Sequence, residues 1–133
     1  PAIPKQEQVF FKNGIFIPGV ADLQLIFEYH AQSQPLGYCD DTYYYIRPEI
    51  YIPCFRAVEY PEHKVDMLLI QRKLFAMDYI KVHWILTGQV RYRPQKRVGK
   101  TRKRYITLYR KQLDYFMNEH FEKEADDEQS DFV

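Results

Sequence analysis

Between Tyr79 and Leu113 the chain carries eleven Lys or Arg residues and no Asp or Glu. No other feature restricts the fold as strongly. No acid within the segment can neutralise these cations, and burying an unpaired charge is very costly. Any element built here must therefore leave most of them in water or against a partner. The stretch RYRPQKRVGKTRKRYITLYRK, Arg91 to Lys111, holds ten of the eleven. The other eight basic residues share the rest of the chain with all eighteen acids, so a formal net charge of +1 conceals +11 in one segment and −10 outside it. Neighbouring cations in KRVGKTRKR lie well inside the screening length of roughly 8 Å at physiological salt. Such a segment repels itself, and an anionic partner would relieve that cost.

The rest of the chain is equipped to form a core. Its 133 residues suit one domain, and 46% of them are apolar and 17% aromatic, including twelve Tyr and nine Phe. That content argues against global disorder. We expect a single α+β domain over residues 1–124 and an acidic tail over 125–133. Two cysteines, Cys39 and Cys54, lack the C-x-x-C spacing and are too few for a disulfide scaffold, which points to free thiols in a reducing compartment, cytoplasm or nucleus, or inside a virion. The most apolar run, Met67 to Leu86, is broken by Gln71, Arg72, Lys73, Asp78 and Lys81, so no membrane span is expected.

Local patterns suggest the elements. QVFFKNGIFIPG, Gln8 to Gly19, reads as a β-hairpin turning at Asn13-Gly14, because that pair supplies the two positive-φ residues of a type I′ turn. In ADLQLIFEYHAQSQ, Asp22 can cap a helix whose inner face is Leu23, Ile26, Phe27 and His30. TYYYIRPEIYIPCFRAVEY reads as extended, with Pro48 and Pro53 confining it to an edge or a bulge. His63 to Met77 has helical spacing after Pro61, with Val65, Leu68, Leu69, Arg72 and Phe75 near one face and Leu74 and Met77 widening it. A strand follows in which Ile80, Val82, Trp84 and Leu86 share a face, with Tyr79, Lys81 and His83 on the other. The basic stretch predicts a two-stranded β-arm, Gln89–Gln95 against Arg102–Leu108, with Gly99 near its tip. A last helix would bury Ile106, Tyr109, Leu113, Phe116, Met117, His120 and Phe121. The expected architecture is thus an N-terminal hairpin, an antiparallel sheet, two or three helices and the basic arm.

Catalytic motifs are weak. Gly99-Lys100-Thr101 matches the end of a P-loop, but the first glycine of that pattern would fall on Pro94. The four histidines share no metal-ligand spacing, and we expect no metal and no cofactor. Glu49, Glu62 and Lys64 stand in the order acid, acid, lysine, which resembles the metal-dependent nucleases of the PD-(D/E)xK type. That resemblance implies two acids holding Mg²⁺ and a lysine stabilising charge, but it covers only these positions, and Pro61 stands where the family has a strand.

The sequence therefore points to binding without catalysis. The expected partner is nucleic acid, DNA or RNA, held without sequence specificity through its phosphates. Lys96, Arg97, Lys100, Arg102, Lys103 and Arg104 would contact phosphates, with Arg91 and Arg93 extending the track. Tyr92 and Tyr105 would stack on exposed bases. The alternative is a structural subunit of a homo-oligomer or larger assembly, such as a viral particle, whose basic arm meets acidic surfaces of its neighbours.

Overall fold

The computed structural model describes residues 8–10, 14–16, 19–20, 23–29, 35–60, 62, 65–116 and 118. The turn expected at Asn13, the cap at Asp22, residues His30, His63, Lys64, Met117, His120 and Phe121, and the acidic tail lie outside these residues. The fold is α+β, as expected, with three helices and several antiparallel sheets among the described residues. No helix among them is long and apolar enough to cross a membrane.

The N-terminal strands β1 (Gln8–Phe10) and β2 (Gly14–Phe16) do not pair with each other. After β3 (Gly19–Val20), β4 (Leu23–Tyr29) takes β2 as an antiparallel neighbour. The expected hairpin is thus replaced by pairing with strands farther along the chain. The expected helix at Leu23 is also a strand. Leu25, Phe27 and Tyr29 are buried while Ile26 and Glu28 are half-exposed, so the operative period is two. Strand β1 instead pairs with β5 (Gly37–Cys39), which pairs in turn with β6 (Tyr43–Ile46). The β5–β6 approach is close at Gly37, where an added Cβ would lie 1.9 Å from the Tyr45 carbonyl oxygen.

Pro48 opens a short helix, α1 (Pro48–Tyr51), rather than interrupting a strand. Its missing N–H costs nothing in the first helical turn. A 3₁₀ turn over Ile52–Cys54 leads into β7 (Phe55–Ala57), which pairs with β4. Helix α2 (Met67–Ala76) starts four residues later than the sequence suggests. Asp66 sets that start, because its carboxylate accepts from the backbone N–H groups of Leu68 and Leu69 at 3.0 and 3.3 Å. Its buried face is Ile70, Gln71 and Leu74, while Leu68 and Leu69 are exposed, so of the expected inner face Leu74 is buried and the centre is shifted toward it. The helix ends on Asp78 at φ 60°, with the Tyr79 N–H returning to the Leu74 carbonyl. This left-handed cap turns the chain sharply into β8 (Ile80–Lys81).

A ribbon follows, β9 (His83–Trp84) with β10 (Val90–Arg91), and then a hairpin, β11 (Gln95–Val98) with β12 (Thr101–Arg104). Strand β13 (Ile106–Tyr109) lies between β6 and β8, completing a five-stranded sheet in the order β1-β5-β6-β13-β8. Residues 110–116 are helical and are called α3. The expected final helix is thus a strand joined to a helix, with the junction after Tyr109. The core draws on both sheets, α2 and α3, with Leu25, Phe27, Ile46, Leu74, Ile80, Ile106, Leu108 and Leu113 buried together. Cys39 is buried and Cys54 half-buried, and neither is in a disulfide.

Candidate nucleic-acid interface

Pairing register assigns each face of the five-stranded sheet. Cys39, Tyr44, Ile46, Ile80, Ile106 and Leu108 alternate onto the core side. The opposite side carries Tyr38, Tyr43, Tyr45, Tyr105, Thr107, Tyr109 and Lys81. The basic hairpin lies against this tyrosine face. Its Lys96 ammonium sits 5.4 Å from the centre of the Tyr45 ring. The Tyr45 hydroxyl donates to Asp40 Oδ2 at 2.7 Å, and the backbone N–H groups of Thr42 and Tyr43 donate to Asp40 Oδ1. Burial works against ionisation of Asp40, but these hydrogen bonds and the nearby Lys96 outweigh it and hold its carboxyl below the ordinary pKa. The same bond and burial push the Tyr45 phenol upward.

This packing corrects two expected contacts. Tyr105 is 3% exposed and packs edge-on against Tyr38 and Tyr45, so it supports the sheet and offers no stacking surface. Lys96 is half-buried, with its ammonium engaged by the Tyr45 ring. The segment pairs with itself, but in a shorter register than expected, Gln95–Val98 against Thr101–Arg104. A two-residue turn, Gly99-Lys100, sets that register. Gly99 has φ 61° while Lys100 is not among the positive-φ residues, which is the pattern of a type II′ turn with glycine first.

The hairpin concentrates charge across as well as along its strands. Lys96 is directly opposite Lys103, and Arg97 is directly opposite Arg102. Like charges in such cross-strand positions destabilise a sheet. Arg97, Arg102 and Arg104 share the outer face with Gln95, and all four are exposed. Lys100 at the tip is exposed as well. Among the described residues, none of the eight cations from Arg91 to Arg104 forms an ion pair, whereas Arg47, Arg56 and Arg110 each pair with a carboxylate.

Two depressions flank the base of the hairpin. A cavity of about 270 Å³ is lined by Lys81, His83, Arg91 and Arg104, with Pro94 and Gln95. It contains three cations, a histidine and no acid. Beside it a more open groove of about 690 Å³ is lined by Pro48, Ile52 and Pro53 together with Arg93, Lys103, Arg104 and Glu49. Arg104 borders both depressions. Burial again opposes ionisation of Glu49, but hydrogen bonds from its own backbone N–H and from Arg47, and the charge of Lys103, lower its pKa.

Lys81 and His83 were not singled out by the sequence. They join Arg91 and Arg104 only through strand pairing, His83 directly opposite Arg91 and Lys81 on the sheet edge formed by β8. Trp84 also went unassigned as a contact. It is 59% exposed and lies against the Phe75 edge, 6.1 Å between ring centres, with Tyr92 6.4 Å from Phe75. Tyr92 itself is half-buried. The expected shared face of Ile80, Val82, Trp84 and Leu86 is broken, since Ile80 is buried while Trp84 and Leu86 are exposed. The pairing changes partners at Val82, so the alternation does not carry through.

For the acid-acid-lysine resemblance, Glu49 lies in the first turn of α1 and is bonded by Arg47 at 3.0 Å, and Glu62 lies in a turn rather than a strand. Among the described residues no group of three His, Cys, Asp or Glu side chains comes together. No protein-family model, curated protein or solved structure matches the chain.

Proposed function

We propose that this protein binds nucleic acid through the phosphate backbone, using the outer face of the hairpin Gln95–Arg104 and the cations at its base. The observation that carries the reading is the set of eight cations from Arg91 to Arg104 without an ion pair among the described residues, two opposed pairs of which work against the hairpin's own stability. A polyanion relieves that repulsion and releases its counterions as it does so. Arg97, Lys100 and Arg102 are the outermost contacts, Arg91, Arg93, Lys103 and Arg104 extend the track, and Lys96 lies against the Tyr45 ring. The exposed Trp84, rather than the buried Tyr105, is an aromatic in this segment that bases could reach.

Salt dependence tests this reading. Binding of a labelled oligonucleotide, followed by anisotropy, should weaken steeply as salt rises. The double substitution Arg97→Gln with Arg102→Gln should flatten the log–log slope by about 1.4 for a single strand, two contacts' worth. Binding that ignores salt would remove the reading.

A second reading, contact with an acidic protein in a larger assembly, draws on the exposed Leu68, Leu69, Trp84 and Leu86. Exposed apolar side chains close to a charged surface are a feature of protein interfaces. Light scattering separates the two, because assembly predicts large particles in the absence of nucleic acid.

A further inference from the structure

We propose that the 270 Å³ cavity beneath the hairpin receives a single phosphate group, that the adjoining groove receives the nucleoside attached to it, and that the protein consequently prefers single strands to duplex. The inference rests on the phosphate-binding reading above and names the form of nucleic acid it takes.

The two depressions differ chemically in the way the two halves of a nucleotide differ. Lys81, Arg91 and Arg104 line the cavity without any carboxylate, the Lys81 ammonium lying 5.1 Å from the centre of the Tyr43 ring, and His83 and the Gln95 amide add further donors or acceptors. This is a site for a compact anion, and guanidinium groups suit phosphate oxygens because they donate in pairs. The groove offers Pro48, Ile52 and Pro53 as apolar lining together with Arg93 and Lys103. A nucleobase has apolar faces for such a lining, and arginine planes stack on bases. The larger, more apolar groove suits the nucleoside and the small, polar cavity the phosphate, which sets the orientation. Arg104, bordering both, would lie at the junction of phosphate and sugar.

The strand preference follows from the geometry. A duplex keeps its bases stacked and paired inside the helix and presents its phosphates on a convex surface. Seating one phosphate in a recessed cavity while its base occupies the neighbouring groove requires an unpaired base, and a duplex must spend a few kcal/mol to extrude one. The outer face of the hairpin, by contrast, reads charge alone and does not distinguish the two forms.

The experiment compares a 12-nucleotide single strand with its blunt duplex by anisotropy at one salt concentration. It also measures, by titration calorimetry, the binding of cytidine monophosphate and of inorganic phosphate. Single strand should bind at least about tenfold tighter than duplex. Arg91→Gln with Arg104→Gln should bring that ratio close to one, whereas Arg97→Gln with Arg102→Gln, which removes the same charge, should weaken both forms and keep the ratio. The mononucleotide should bind at lower concentration than inorganic phosphate, a comparison that needs no variant to fold. If single strand and duplex bind equally and the two double variants behave alike, the cavity assignment is overturned while the phosphate reading stands. If neither oligonucleotide binds, both fall.

Discussion

The two faces of the five-stranded sheet are built from different chemistry. On one side mostly aliphatic residues, Ile46, Ile80, Ile106 and Leu108 with Tyr44, meet a core that also holds Phe27, Tyr51 and Phe55. On the other, Tyr38, Tyr45 and Tyr105 form an aromatic layer beneath the hairpin, and neither Tyr45 nor Tyr105 belongs to the core cluster although both are almost fully buried. The difference follows from what each face must support. An aliphatic face excludes water and gives most of the stability. A tyrosine face excludes water with its rings, keeps hydroxyls for hydrogen bonds at its rim, and presents negative ring faces to cations. Such a face can hold the ammonium of Lys96, which an aliphatic one could not do without leaving the charge unpaired.

The comparison can be broken at three depths. Leu108→Ala, on the aliphatic face, should cost about 2–5 kcal/mol, since it leaves a cavity in the centre of the sheet. Chemical denaturation measures this directly, and a loss below about 1 kcal/mol would mean that the core lies elsewhere. Tyr45→Phe, on the other face, keeps the ring and removes the hydroxyl that donates to Asp40. The expected cost is about 1–2 kcal/mol at neutral pH, because the acceptor is an ionised carboxylate. That cost should depend on pH. Asp40 has a lowered folded-state pKa, so its contribution is present above its ordinary value near about 4 and is lost as the pH falls through the lower folded value. The difference between wild type and Tyr45→Phe in denaturation midpoint should therefore shrink in acid; a difference constant across that range would show that the carboxylate is not the partner that matters. Lys96→Met should have the smallest effect, within about 0.5 kcal/mol of zero, because the lost attraction to the Tyr45 ring is offset by relief of the repulsion from Lys103. A large loss there would make Lys96 the main fastening of the hairpin.

Much of this arrangement could be read from the chain only in part. Charge segregation was legible, because it needs composition alone. The α+β class followed from mixed periodicities, but several boundaries did not. Leu23, Ile26 and Phe27 satisfy a helical spacing, yet Leu25, Phe27 and Tyr29 satisfy a strand equally well, and seven residues are too few to separate the two periods. Ile106, Tyr109 and Leu113 fit one helix face by spacing while in fact spanning a strand, β13, and the helix after it. Tertiary pairing decided both cases. The candidate site shows the same limit. Arg91 and Arg104 could be named because they belong to the basic run, but Lys81 and His83 become their neighbours only when β8 and β9 find their partners. Tyr105 resembled a stacking residue for the opposite reason. Its local neighbours are cations, and nothing in the linear order announces that Tyr38 and Tyr45 will cover it.

The facing pairs Lys96–Lys103 and Arg97–Arg102 give salt two opposite jobs in this molecule. Added ions shield each strand of the ribbon from its twin and so tighten its hydrogen-bonded ladder, while the same ions compete with any polyanion for the ribbon's outer side. Amide exchange along Gln95–Arg104 should accordingly slow when salt is raised in the free protein, and slow again at low salt when a phosphate chain takes over the work of the counterions.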